Sequence, residues 1–270
     1  MKLAMPHLIG ILGLSLVLAA QAQAQACRSL IASGNPQYPP YLWQSPRDEA
    51  RLIGANAELM EWLADEIGVP IETRHIGNWA RVQEEARAGR VDLLAGAFFT
   101  LPRTEYLDYA HPPFRETRSV VIVRETRRIS FKRWEDLVPL KGLTVVNNSL
   151  GQSFDKFAAD SLSMTKVSNL EKALQMLELG RGDYLVYEDS PAEAFIARMG
   201  VKGLRLLTPP VAQEQLHIAI SHRSACNTPE LRGAIARAMF KLRQTKLMST
   251  FVERAVQTWR LQQQEPAKPQ

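Results

Sequence analysis

Asn78–Ala97, NWARVQEEARAGRVDLLAGA, and Asn169–Glu188, NLEKALQMLELGRGDYLVYE, are two copies of one unit, and their shared layout decides the fold. Each opens on Asn, whose short side chain accepts from the free N–H groups of a helix's first turn. Helix-forming sequence then runs to Gly89 or Gly180, the residue that tolerates the left-handed turn ending a helix. Arg-x-Asp follows, and after it an apolar run short enough for a buried strand. A helix–Gly–strand module used twice predicts two similar α/β lobes in one chain. Two lobes leave a cleft, and clefts are where small ligands bind.

Outward from these copies the pattern stays α/β. A short strand at 28–33 leads into the Pro-rich loop 34–41, in which the prolines fix φ and remove donors, so no sheet should continue there. Leu59, Trp62, Leu63 and Ile67 recur at helical spacing before Gly68, and a second strand is expected over 70–76. The first unit predicts a helix over 79–88 and a strand over 91–95. Ser119–Arg124 and Leu216–Ile220 read as strands crossing between lobes. From Thr228 the chain reads as helix to about Leu261, with Pro229 at a helix start. Residues 27–117 with 221–262 form lobe one, and 118–220, including the crossing strands, form lobe two. Residues 263–270 read as a disordered polar tail.

Bulk composition excludes several classes. At 46% apolar and 23% charged residues, the chain is expected to be globular. A net charge of +5 scattered among carboxylates argues against nucleic-acid binding. Residues 1–26 read as a signal peptide: Lys2, the apolar run Leu8–Ala20, and Ala24-Gln25-Ala26 for cleavage. Ala24 and Gln25 depart from the lipoprotein pattern, so cleavage is preferred to acylation of Cys27. Export makes a disulfide between the two cysteines, Cys27 and Cys226, the expected state. The five histidines are dispersed without metal-ligand spacing, and neither metal nor cofactor is expected.

FTLPRTEYLDYAHPPF, 99–114, follows the first strand of the repeated units and occupies the ligand edge of a parallel sheet. Arg103 there suits a carboxylate as a planar fork; the alternative is a surface pair with Glu105 or Asp108. Together with Tyr38-Pro39-Pro40-Tyr41, Leu140-Lys141-Gly142 and Gly180-Arg181-Gly182-Asp183, this segment resembles bacterial extracellular solute-binding proteins, family 3, the periplasmic receptors of polar amino-acid ABC importers. The resemblance spans about 28–255 and implies a two-lobed Venus flytrap of type II, each lobe an open, mostly parallel sheet flanked by helices.

The resemblance assigns Arg103 to the ligand carboxylate and Tyr38 to the ligand side chain. It assigns Glu188, with Asp189 next to it, to the ammonium, and Ser149 to Ser153 to the lobe-two loop near the carboxylate. Trp79 stands near the cleft, or equally in a core, and Gly96 offers its backbone. Two positions depart from the family pattern: Phe98 replaces a Ser or Thr, and Glu188 replaces Asp. The implied role is a monomeric periplasmic carrier serving membrane permease subunits. The alternatives are an enzyme resembling cyclohexadienyl dehydratases, with Glu188 as general acid, and a ligand-sensing partner of a membrane sensor.

Overall fold

The computed structural model describes residues 27–264, so the signal-peptide reading of 1–26 lies outside the described residues. Lobe one begins with β1 (Leu30–Ser33), β2 (Gln37–Tyr38), β3 (Leu42–Gln44), β4 (Leu52–Ile53) and α1 (Ala55–Ile67). It continues through β5 (Ile71–Thr73), α2 (Trp79–Arg87), β6 (Leu93–Phe98) and β7 (Leu107–Tyr109). β5 and β6 flank β1, both parallel to it, as helical crossovers require. Gly68 ends α1 at φ +68, and the Asn78 side chain accepts from the Arg81 N–H at 3.0 Å to start α2.

The Pro-rich loop differs from its expected form. Gln37 and Tyr38 pair antiparallel with Trp43 and Leu42, making β2–β3–β4 a small separate sheet. Pro39 and Pro40 occupy the turn, where no ladder donor is needed, and the Tyr41 N–H closes it on the Tyr38 carbonyl at 2.8 Å. β6 also starts later than expected and runs to Phe98, which places Gly96 and Phe98 on a strand.

Lobe two contains β8 (Arg115–Arg124), β9 (Lys141–Val145), α3 (Gln152–Ser161), β10 (Ser163–Val167) and α4 (Leu170–Glu178). After these come β11 (Tyr184–Glu188), α5 (Asp189–Met199), β12 (Leu204–Leu206) and β13 (Ala212–Ser221). Asn169 caps α4 as Asn78 caps α2, accepting from the Lys172 N–H at 2.9 Å. The main sheet runs β10–β9–β11–β8–β13–β6–β1–β5. Both crossing strands are longer than their apolar cores suggest. Arg115–Ser119 of β8 pairs antiparallel with Ala212–Leu216 of β13. β8 then continues beside β11, while Leu216–Ile220 of β13 pairs with β6 in lobe one. The two lobes thus share one continuous sheet through these strands.

The C-terminal segment is two helices rather than one, α6 (Pro229–Arg243) and α7 (Leu247–Gln264). Thr245 makes the break: its hydroxyl donates to the Leu242 carbonyl at 2.7 Å and accepts from the Leu247 N–H at 3.2 Å. Such local bonds compete with helix continuation. α7 reaches two residues into the span read as a disordered tail; 265–270 lie outside the described residues. α7 packs on α1, yet Trp259 near its end touches both lobes, edge-on against Trp43 of lobe one and tilted on Phe195 of lobe two. The Trp259 indole donates to the Ala194 carbonyl at 3.3 Å.

Cys27 and Cys226 form the expected disulfide, with Cα atoms 5.0 Å apart. It ties the residue range ahead of β1 to the turn before α6. Closing so long a loop removes conformational entropy from the unfolded chain. Cys27→Ser with Cys226→Ser should therefore lower the unfolding free energy by about 2–4 kcal/mol in denaturant titration.

Candidate functional site

The two copies of the repeated unit face one another across the cleft. In lobe one, α2 and β6 lead to a 3-10 turn, Leu101–Glu105, in which the Arg103 N–H bonds to the Thr100 carbonyl at 3.0 Å. This turn folds Arg103 inward until it is only 6% exposed. Its Nε donates to Gln83 Oε1 at 3.3 Å and its Nη1 to the Phe98 carbonyl at 3.2 Å. The guanidinium carbon stands 5.4 Å from the centre of the Trp79 ring. All these acceptors are neutral, so the buried cation has no contacting carboxylate among the described residues; the surface pairing with Glu105 or Asp108 is not formed.

In lobe two, α4 and β11 deliver Glu188, which is 2% exposed. Its Oε2 accepts from Asn148 Nδ2 at 3.4 Å. Burial pushes the carboxyl up to about 7, against the opposing pull of Asn148 and of the Arg103 charge. The turn after β9 presents Asn148 through Asn147, which takes a left-handed φ of +58, a conformation asparagine tolerates.

Tyr38, Trp79, Gly96, Phe98, Arg103 and Glu188 line one small cavity of about 20 Å³ between the lobes. Gly96 is required at φ +125, because a Cβ there would lie 2.7 Å from Asn56 Nδ2, which donates to the Ala95 carbonyl. Phe98 packs with Tyr38, Tyr41 and Leu216 as an apolar wall, and its carbonyl accepts from Tyr109 as well as Arg103. Burial and the Glu188 charge raise the Tyr38 phenol well above its ordinary value. Asn56 Oδ1 and Ser119 Oγ are buried without a protein partner, while the buried Tyr38 and Thr117 hydroxyls face each other. Each such group costs about 1–3 kcal/mol unless something bonds it.

Three expected residues stand elsewhere. Asp189 turns away from the cavity and pairs with Arg118, at 2.7 and 2.8 Å, while its other oxygen accepts from the Ser190 N–H. Ser149 donates to Asp155, whose second oxygen accepts from the Leu150 N–H, so Ser149 shapes its own loop. Ser153 is exposed in the first turn of α3. In their place the structure brings in Asn148, one residue ahead of the expected loop, with Asn35 and Asn56. Gln83, the neutral anchor of Arg103, escapes sequence reasoning because a single amide on an amphipathic helix carries no pattern. Of the histidines, His111 and His217 do meet, their rings 4.8 Å apart, but among the described residues no metal-binding group of three or more exists.

Cross-lobe hydrogen bonds hold the cleft shut. Asn35 Nδ2 donates to the Tyr187 hydroxyl at 3.1 Å, and the Leu170 N–H donates to Gln37 Oε1 at 3.0 Å. Gln83 Nε2 reaches the Asn147 carbonyl at 3.1 Å, and the Leu101 N–H reaches Gln152 Oε1 at 2.9 Å. The site therefore offers one buried cation and one titratable carboxyl on opposing walls, with the Tyr38 hydroxyl and the Asn56 amide beside them.

Known structures share this architecture. A histidine kinase sensor domain with similarity to periplasmic binding proteins superposes with a TM-score of 0.71 at 21% identity, covering 87% of this chain and 96% of that one. The P235GK mutant of ArgBP from T. maritima gives 0.71 at 18% identity, covering 85% and 96%. The substrate-binding protein AbpA of an amino acid ABC transporter from Streptococcus pneumoniae, bound to L-arginine, gives 0.70 at 20% identity, covering 86% and 96%. At these identities the likeness establishes the two-lobed fold alone. No curated protein sequence matches the chain. The sequence profile of one family matches residues 30–258, nearly the whole described chain. The protein belongs to the bacterial extracellular solute-binding proteins, family 3.

Proposed function

We propose that this protein captures a small polar, amino-acid-like solute between its lobes in the periplasm and presents it to the membrane subunits of an ABC importer. The observation that carries this reading is the uncompensated Arg103 guanidinium facing the Glu188 carboxyl across one cavity. Arg103 would take a carboxylate as a fork, and Glu188 an ammonium. Because both lobes contribute, ligand favours the shut form by its extra contacts there. Family membership supports capture of a solute, and fold neighbours bound to arginine and glutamine support an amino-acid-like one. A screen of amino acids and related zwitterions should raise the melting temperature for at least one compound, and Arg103→Ala should remove that shift. A panel without any shift counts against the reading.

Glu188 supports a second reading, since a buried carboxyl pushed up to about 7 is what a general acid needs. Aromatic product from prephenate or arogenate, lost in Glu188→Gln, would replace binding by dehydration. The fold also serves a sensor domain, so co-purification with a kinase instead of permease subunits would redirect the partner.

Glu188 also sets a pH dependence. Around it stand Arg103, Asp155, Tyr38 and Tyr187. Its carboxyl binds a proton more tightly folded than unfolded, so the contribution is present below about 4.5 and is lost as pH rises towards about 7. The ligand-free protein should lose about 3 kcal/mol over that window, and Glu188→Gln should flatten the slope. A bound ammonium reverses the preference, so binding at pH 6 should release close to one proton. Calorimetry in two buffers of different ionisation enthalpy measures this; proton uptake would contradict the assignment of Glu188.

A further inference from the structure

The densest basic stretch of the chain, residues 124–133, takes no part in the cleft. It leaves β8 at one end of the lobe-two sheet. Pairing of Tyr184 with Val123 and Gly142, and of Leu204 with Arg124, sets the ends of β8, β9, β11 and β12 side by side. β11 runs from this pole to Glu188, so the pole and the cleft lie at opposite ends of the same strands.

Local bonds hold the pole together. The Arg124 guanidinium donates to the Leu177 and Gly182 carbonyls, which fixes the turn at 179–181 beside it. Arg127 pairs with Asp183 at 2.9 Å. The Glu125 N–H donates to the Gly203 carbonyl at 2.7 Å, bringing Lys202 alongside. These bonds do not neutralise the surface. Arg128, Lys141, Arg181 and Lys202 are exposed and touch no carboxylate among the described residues. The Arg124 and Arg205 guanidiniums bond to carbonyls alone among those residues. Against them stand the unpaired carboxylates of Glu125 and Glu178, so the positive excess here is most of the chain's net charge of +5.

Apolar groups stand among these charges. Leu179 is 67% exposed next to the turn that carries Arg181, and Val138 is 46% exposed just ahead of β9. A depression of about 520 Å³ is lined by Arg127, Arg128, Ile129 and Leu140. Its carboxylate, Asp136, accepts from the Lys132 and Arg133 N–H groups. Flexible cations beside projecting aliphatic side chains match a surface of dense, mobile phosphates with hydrocarbon just beneath. A folded acidic partner would call instead for an apolar centre inside a polar rim, and here the apolar residues are dispersed among the charges.

We infer that this pole of lobe two is a docking surface for an anionic phospholipid bilayer, independent of any solute in the cleft. The test sediments the mature, solute-free protein with vesicles of phosphatidylcholine alone or mixed with an equal share of phosphatidylglycerol. Binding should require phosphatidylglycerol and disappear as salt rises to about 0.5 M. At about five-fold per basic residue, the triple variant Arg128→Glu, Arg181→Glu, Lys202→Glu should bind at least about 100-fold more weakly. A second triple variant, Arg237→Glu, Arg243→Glu, Lys246→Glu, imposes the same charge change on exposed positions around the end of α6 and should bind like wild type. Equal binding to both vesicle types, binding to neither, or an equal loss in the two triple variants overturns the inference. Capture of poly-L-glutamate in place of the vesicles assigns the pole to an acidic protein and overturns it as well. Each of these outcomes leaves the reading of Arg103 and Glu188 untouched.

Discussion

A buried guanidinium and a buried titratable carboxyl on facing walls, each contacted only by neutral groups, are the constraint around which the rest of the structure is arranged. A direct Arg103–Glu188 bridge would quench both and leave nothing for a solute to complete. Gln83 and the Phe98 carbonyl instead orient the guanidinium without neutralising it. Asn148 holds the carboxyl while burial raises its affinity for a proton. An isolated buried charge is costly, and losing one member of a buried pair commonly costs 3–5 kcal/mol. The scaffold must be rigid enough to impose that cost, which explains why both residues follow closely on fully buried strand segments.

Rigidity of each wall coexists with a narrow connection between them. The lobes share the β8–β13 pairing and the reach of α7 through Trp259. The four cross-lobe hydrogen bonds named above contribute about 1 kcal/mol each at most. Their sum is a few kcal/mol, comparable to the preference a ligand needs in order to shift a two-state equilibrium decisively. Strong closure without ligand would mask the site, and none would waste binding energy on ordering the lobes.

Much of this was legible from residue order. The paired Asn caps, the Gly stops and the apolar runs of Leu93–Phe98 and Tyr184–Glu188 are local signals, and local signals survive folding. The cysteine pair was legible from composition and compartment. What stayed hidden depends on partners distant in sequence. β10, Ser163–Val167, is a mostly polar edge strand without apolar period. The extensions of β8 and β13 are polar residues made into strand only by pairing with each other. Asp189 looked equivalent to Glu188 until the strand ended between them, leaving one carboxylate in the cleft and the next beside Arg118.

The two departures from the family pattern acquire a common physical sense. Phe98 removes a hydroxyl donor but supplies an apolar wall against Tyr38 and Leu216, while its backbone carbonyl gathers Arg103 and Tyr109. Polar capacity is supplied instead by Asn35, Asn56 and Asn148, which line the same cavity. The extra methylene of Glu188 lets its carboxyl reach Asn148. Both departures leave Arg103 and Glu188 on facing walls, so the choice of solute rests on the shape and polarity of the groups between them.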